Sequence, residues 1–418
     1  KTMMRSLLLG SIITLSVLFL KCRAANSPMA LFQASYCGEL FKTADRVDRG
    51  LFDAILPPIG FWDLFANITV SDIVLVDVDK YSTPLLLNQV AALRKSDSKL
   101  AENIFAMAYD NSTCNSLTIK GIRCFYDLTW TNRLMGNIQY LTRNQNPGFM
   151  HLVMMGRMIT TTVLLCEGHN VFLTDSDVLF YRDPIPYIFP EVNIMITATP
   201  ISSEQDSWGT PFFSDQPKQF FTLNNGVVYY RSNPVTRSFT LTLVAHCMNS
   251  FRGRYDHEEG FLQKVFNRMM IDGKLSLHPC KKISNPATFQ LNSTHLNNTV
   301  GECYDCYYGH IPWWSDVVQL PVVPDHPHVL KIGVFPTQRY TSMCYAPDQA
   351  VFTKALIEAA SALNRSVNSH WGWGELRNKT SRVLLTHANC VDEGALGLAR
   401  YTKKIDWFKS VGSWYLDA

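Results

Sequence analysis

Apolar runs that close on an acid recur through the first half of the chain, and helical patterns separate them. Ile73-Val74-Leu75-Val76-Asp77-Val78-Asp79 predicts a buried strand, with a helix behind it from Pro84 to Leu100. Asn103 to Asp110 predicts a second strand, and after a short helix Gly121 to Asp127 predicts a third. Phe149 to Glu167 carries apolar residues at helical spacing, with Gly168 as its stop. It leads into a further short strand, Asn170-Val171-Phe172-Leu173-Thr174. Strands alternating with helices predict an α/β fold whose sheet is mostly parallel and flanked by helices. Ligands of such sheets gather at the carboxyl ends of the strands. Asp77, Asp110 and Asp175 stand at or near those ends, although a helix cap or a turn explains any one of them equally well.

The second half is less regular. Val192 to Ala198 predicts a strand, and Phe212 to Phe221 a loop. Phe220 to Arg231 reads as a strand interrupted by Asn224, Asn225 and Gly226. A glycine at such a point often lets a ligand or another backbone come close. Tyr255 to Ile271 predicts an amphipathic helix with Phe261, Leu262, Val265, Phe266 and Met269 inward.

Three stretches are expected. Residues 1–25 are a targeting segment: Lys1 and Arg5 precede an apolar run from Leu7 to Leu20, too short for a span of about 20. A cleaved signal peptide and a retained signal-anchor both fit it. Residues 26–66 are expected to be a stem or extension, broken at Pro57-Pro58, and residues 67–418 the main α/β domain.

Composition changes the picture in one respect, the compartment. With 418 residues, 47% hydrophobic, a large core is assured, and a net charge of +3 without a long basic run gives no reason to expect nucleic acid. Acceptor sequons at Asn67, Asn111, Asn292, Asn297, Asn364 and Asn378, with eleven cysteines, suit an oxidising, secretory location. Cys114 and Cys124 are near enough for a hairpin-type bridge. Cys303 and Cys306 lack the second pair of a zinc site, which favours a disulfide or thiols.

Asp175-Ser176-Asp177 is the segment richest in chemistry. In a strand, residues i and i+2 point the same way, so both carboxylates can project side by side. Paired oxygen ligands suit a hard cation, Mg²⁺ or Mn²⁺, which can hold a diphosphate and neutralise its charge. Taken alone, such a triplet is more often a turn or a solvated strand end.

Its surroundings resemble the nucleotide-diphospho-sugar transferase family, and within it the group of plant xylosyl- and arabinosyltransferases (glycosyltransferase family 77). The matching residues are Gly168 to Pro184, Leu223 to Asn233, Thr386-His387-Ala388-Asn389-Cys390-Val391 and Gly412-Ser413-Trp414-Tyr415. The resemblance implies a GT-A type fold, a nucleotide-sugar donor (most simply a UDP-sugar) and a divalent ion. It implies Asp175, Asp177 and His387 as metal ligands, His387 arriving on a C-terminal segment that folds over the donor. Asp175, Asp177 and Asn225 become the candidate catalytic set. Asp77, Asp110, Arg157, Asp175, Ser176, Asn224, Asn225 and Gly226 become candidate nucleotide-sugar contacts; for Arg157 a helix-surface salt bridge serves as well. Near the acceptor, a glycan or glycoprotein, stand Asp256, Glu258 and Glu259, and an aromatic run of Tyr304, Tyr307, Tyr308, Trp313 and Trp314. A solvated helix end explains the acids equally well, and ordinary packing under a disulfide-braced loop explains the aromatic run slightly better.

One departure stands out. The family tends to place a lysine soon after its His-Ala-Asn block, whereas here the first bases are Arg400, Lys403 and Lys404. The expected function is a luminal or secreted metal-dependent glycosyltransferase, retaining by resemblance. The alternatives are a binding protein that kept the fold and lost turnover, and a glycoprotein whose two aspartates hold Ca²⁺. On the first reading Asp177→Ala abolishes transfer and leaves the fold nearly unchanged.

Overall fold

A computed structural model describes residues 56–65, 68, 70–141, 149–188, 192–199, 222–250, 275–279, 305–310, 329–334, 340–342, 385–388, 391, 397–410 and 412–416. The N-terminal targeting segment, the 212–221 loop, the 255–271 helix and the acidic and aromatic residues Asp256, Glu258, Glu259, Tyr304, Trp313 and Trp314 lie outside them. Among the described residues, no helix is long and apolar enough to cross a membrane.

The strands are β1 (Asp72–Val78), β2 (Ile104–Ala108), β3 (Arg123–Phe125), β4 (Asn170–Thr174), β5 (Val178–Phe180), β6 (Ile194–Thr199), β7 (Thr222–Tyr230), β8 (Leu275–Pro279), β9 (Asp305–His310), β10 (Val329–Val334), β11 (Tyr340–Ser342) and β12 (Leu385–His387). The helices are α1 (Ile59–Phe65), α2 (Thr83–Lys95), α3 (Asn111–Ile119), α4 (Leu128–Leu141), α5 (Phe149–Cys166), α6 (Pro234–Ser250) and α7 (Gly397–Ser410). Nine strands form one sheet in the order β3-β2-β1-β4-β7-β6-β10-β9-β8. Its first four strands are parallel, as their crossover helices require. Antiparallel pairing enters at β7, which lies between β4 and β6.

Burial follows the apolar runs. In β1, Ile73 to Val76 are buried on both faces, as expected of a strand covered from two sides. Val74, Val76, Ile104, Ala106, Phe172, Met195 and Val227 share one core cluster. Helix α1, in the stretch expected to be stem, packs Phe61 edge-on against Phe105 and Phe125, at 5.8 and 5.2 Å between ring centroids. A disulfide joins Cys114 on α3 to Cys124 on β3, with 5.4 Å between the α-carbons. It staples a helix to a strand, where the spacing had suggested a hairpin.

The helix expected over Pro84 to Leu100 ends earlier, at Lys95. Asp97 takes a left-handed φ of 52°, which aspartate tolerates better than most residues, and so breaks the helical run. Ser98 then caps a 3₁₀ turn, Lys99–Asn103, by accepting from the Leu100 N–H.

A second sheet runs β11-β12-β5. Its β12–β5 ladder is antiparallel and sets His387 opposite Val178, the residue after Asp177. A segment more than two hundred residues downstream is thereby locked beside the acidic pair by backbone hydrogen bonds.

Candidate active site

Asp175, Ser176 and Asp177 do not continue β4; they form the turn between β4 and β5. Strand alternation is therefore not what aligns the two carboxylates, and that expectation is corrected. The turn is fixed on three sides by backbone bonds. Asp175 N–H donates to Gly226 O at 2.8 Å, Val178 N–H to Asp175 O at 3.2 Å, and Ala388 N–H to Asp177 O at 3.1 Å. Both carboxylates consequently meet one imidazole: His387 Nε2 lies 3.3 Å from Asp175 Oδ2 and 3.3 Å from Asp177 Oδ1.

The other oxygen of each acid faces a fixed cation. Arg157, on α5, reaches Asp175 Oδ1 at 3.1 Å, and Lys404, on α7, reaches Asp177 Oδ2 at 2.5 Å. Arg157 does more than bridge along a helix surface. It also lies 3.4 Å from Asp77 Oδ2 and donates to the Asn225 carbonyl at 3.0 Å. The end of β1, the acidic turn and the β7 bulge are thus tied to one buried guanidinium, whose rigid fork suits a three-way clasp. Arg157→Met is expected to lower stability by about 3 kcal/mol, because it takes the cation away from the mostly buried Asp77 carboxylate. Denaturant unfolding checks this; a loss below 1 kcal/mol would remove Arg157 from that role.

Electrostatics follows from those contacts. Burial opposes ionisation of Asp177, but Lys404 and then His387 hold its carboxyl far below the usual range. Burial likewise opposes Asp175, where Arg157 and His387 prevail in the same direction. Asp175 keeps 36% of its side chain exposed, so its pairing is the more screened of the two. Burial pushes the His387 imidazole down, yet the two carboxylates carry it up to about 9. The charge of Asp177 contributes most to that rise, and the close approach of both carboxylates to Nε2 adds to it.

A pH dependence follows. The folded-state value lies above the unfolded one of about 6.5, so the ring's stabilising contribution is complete below 6.5 and is lost as pH rises through about 9. A metal must displace that proton, so apparent Mn²⁺ affinity should rise about tenfold per pH unit from 6.5 toward 8.5. Calorimetric titration at three pH values measures the slope; a flat profile would remove His387 from the ligand set.

The groups fit a divalent ion. Asp175, Asp177 and His387 each offer one ligand atom, all within 4.8 Å of one another. Neither ring nitrogen of His387 has a hydrogen-bond partner, although the residue is buried. Two carboxylate oxygens and an imidazole suit Mn²⁺ or Mg²⁺ and leave positions for phosphate or water.

Beside this centre, β7 bulges. Ile196 pairs with Val228, but Thr197 pairs with Asn224, so Asn225, Gly226 and Val227 loop out of that ladder. Asn224 is spent inside the bulge, its Oδ1 accepting from the Gly226 N–H at 2.8 Å. Asn225 is 4% exposed, and neither its amide nitrogen nor its amide oxygen is partnered. Gly226 is small for a reason other than a backbone approach: the His387 ring occupies the space a β-carbon would take.

The remaining site residues are placed as follows. Asp77, next to last in β1, accepts from the Tyr109 hydroxyl at 2.6 Å and pairs with Arg157. Asp110 is the N-cap of α3, accepting from Thr113 N–H at 2.8 Å and from the Ser112 and Thr113 hydroxyls. Ser176 is buried between the two aspartates. Side chains of Tyr307 and Tyr308, on β9, are not among those described. Sequence reasoning passed over Tyr109, and left Lys404 as a distant base. A signal existed for the latter: Tyr401, Lys404, Ile405 and Phe408 share one helical stripe, and its other members are apolar.

A twisted α/β sheet with an Asp-x-Asp turn at its carboxyl edge and a C-terminal segment laid over it is the GT-A arrangement of glycosyltransferases. Residues 99–390 match the family described as nucleotide-diphospho-sugar transferase, and the chain belongs to that family. No curated protein matches the chain. Similar solved structures include mouse xyloside xylosyltransferase 1 in its apo form, at 12% identity, covering 78% of this chain and 100% of that one, with a TM-score of 0.33. The galactosyltransferase LgtC, solved with donor and acceptor sugar analogs, is 12% identical over 82% of this chain and 96% of its own, with a TM-score of 0.29. The glycosyltransferase GlyE of Streptococcus pneumoniae is 10% identical over 82% and 64%, with a TM-score of 0.27. Scores this low say nothing about site or substrate.

Proposed function

We propose that the protein transfers a sugar from a nucleotide diphosphate, most simply a UDP-sugar, to a hydroxyl of a glycan or glycoprotein in the secretory pathway, with the Golgi lumen as the best-fitting station. The observation that carries this is the convergence of Asp175 Oδ2 and Asp177 Oδ1 on the buried ring of His387. A divalent ion held there would neutralise the departing diphosphate. Asp177 and Asp175 stay ionised at neutral pH because Lys404 and Arg157 back them. The free amide of Asn225 can both donate to and accept from sugar hydroxyls, which orients a donor. Asp77, held by Tyr109 and Arg157, presents the edge of β1 to the nucleoside side of the cleft.

Retention of configuration fits the same groups. Asp77, Asp175 and Asp177 are all engaged by cations or hydroxyls, so none is poised as a nucleophile. Attack by the acceptor oxygen on the face that the diphosphate leaves needs no enzyme nucleophile. The narrower kinship with plant xylosyl- and arabinosyltransferases rests on the motif blocks quoted above. Likewise Asp256, Glu258, Glu259, Trp313 and Trp314 are the residues we assign to the acceptor side, from sequence.

A screen of donor hydrolysis across UDP- and GDP-sugars with Mn²⁺ tests turnover and donor choice together. The expected result is slow, Mn²⁺-dependent hydrolysis of one or a few UDP-sugars. Mutual stabilisation by Mn²⁺ and UDP without hydrolysis of any donor would instead favour a binding protein. Stabilisation by Ca²⁺ that ignores the nucleotide would overturn the reading.

A further inference from the structure

Lys404 belongs to this centre through contact, not through any motif. It comes from helix α7, 227 residues from Asp177, and its ammonium is 2% exposed as a residue. The acidic pair shows a repeated division of labour. Asp175 gives Oδ1 to Arg157 and Oδ2 to His387; Asp177 gives Oδ2 to Lys404 and Oδ1 to His387. Each carboxylate has an inner oxygen facing the imidazole and an outer oxygen held by a cation. The two outer cations differ in setting, since Asp175 is 36% exposed at its side chain and Asp177 only 7%. Screening therefore blunts Arg157 far more than Lys404.

We propose that Lys404 is a built-in counter-ion that holds Asp177 ready before the divalent ion binds and deliberately weakens the site for the bare ion. Two effects act together. The ammonium occupies Asp177 Oδ2, which prevents that carboxylate from ligating through both oxygens. Its fixed positive charge also repels a dication placed at the Asp177–His387 gap, in surroundings of low dielectric. Loss of Lys404 would not loosen the turn greatly, because backbone bonds to Gly226 and Ala388 hold it independently. Repulsion therefore outweighs positioning. A diphosphate supplies the negative charge that Lys404 cancels, so the ion binds well only in company with the nucleotide. Binding of the two is thus coupled, and by linkage each strengthens the other.

The inference rests on Asp175, Asp177 and His387 being the metal site. The test is Mn²⁺ binding to the whole protein, followed by the loss of the free-ion EPR signal, with and without UDP. Lys404→Met should bind Mn²⁺ alone at least about tenfold tighter than the unaltered chain. UDP should then improve its Mn²⁺ affinity by a smaller factor. Lys404→Arg keeps the charge and should match the unaltered chain, as should Lys403→Met on the exposed face of α7. Should the methionine variant fail to fold, Lys404→Gln removes the charge while still donating to Asp177, and carries the same expectation. Equal or weaker Mn²⁺ affinity in the uncharged variants overturns the proposal and leaves the metal site standing. Absence of Mn²⁺ binding in every form, UDP present or not, removes the metal site and the proposal with it.

Discussion

Gly226→Ala should cost the protein about 10–100-fold in Mn²⁺ affinity, although it adds a single methyl group. A β-carbon there would overlap His387 Cε1 and lie 2.6 Å from Nδ1 and 2.7 Å from Nε2, and real side chains do not pack below 3.0 Å. The ring has nowhere cheap to go. It is 3% exposed, and its backbone is paired with Val178 in the β12–β5 ladder. Gly226 does not need a left-handed backbone, so the loss is one of space, not of conformational freedom. Crowding should also lower stability by about 1–3 kcal/mol. Titration of Mn²⁺ and a thermal melt measure the two effects. Retention of the original Mn²⁺ affinity would mean that the imidazole is not a ligand.

Asp177→Ala should abolish transfer and, in addition, lower stability by about 3–5 kcal/mol. From the sequence alone the fold is expected to be nearly unchanged by that substitution. Lys404 changes that expectation: Asp177→Ala removes the carboxylate that lies 2.5 Å from its buried ammonium. Asp177→Asn keeps an oxygen for the ammonium and should lose turnover while recovering part of the stability. The double variant Asp177→Ala, Lys404→Met should be more stable than Asp177→Ala alone. Donor hydrolysis with urea unfolding of all three separates catalysis from folding. Measurable transfer by Asp177→Ala would overturn the site assignment.

The parallel part of the fold was legible because its strands are short apolar runs bounded by turns. Val74, Phe105 and Phe172 are buried where the pattern placed them. Helix α6 gave no comparable signal: its Thr-Leu-Thr-Leu-Val run suits a strand locally, and packing against α5 decides for a helix. The break at Asp97 was missed since apolar spacing continues past it to Leu100, while the backbone turns left-handed. At the centre, the Asp175-Ser176-Asp177 spacing placed two acids side by side for the wrong reason, alternation in a strand instead of a three-sided turn. His387 was reached only through a family likeness. Nothing in local pattern can state that residue 387 pairs with residue 178, because that register belongs to the second sheet. Lys404 could have been noticed as the single charge in an otherwise oily stripe.

The ladder between β12 and β5 also sets an order of events during synthesis. The neighbours β1, β2, β3 and β4 can pair before the later segments are made, yet His387 and Lys404 follow the acidic turn by more than two hundred residues. Until then the acidic turn carries Asp175 and Asp177 with Arg157 as the nearby cation, a surplus of negative charge open to any passing cation. A chain cut short before residue 385 would therefore keep much of its scaffold and still lack the pieces that make the centre selective.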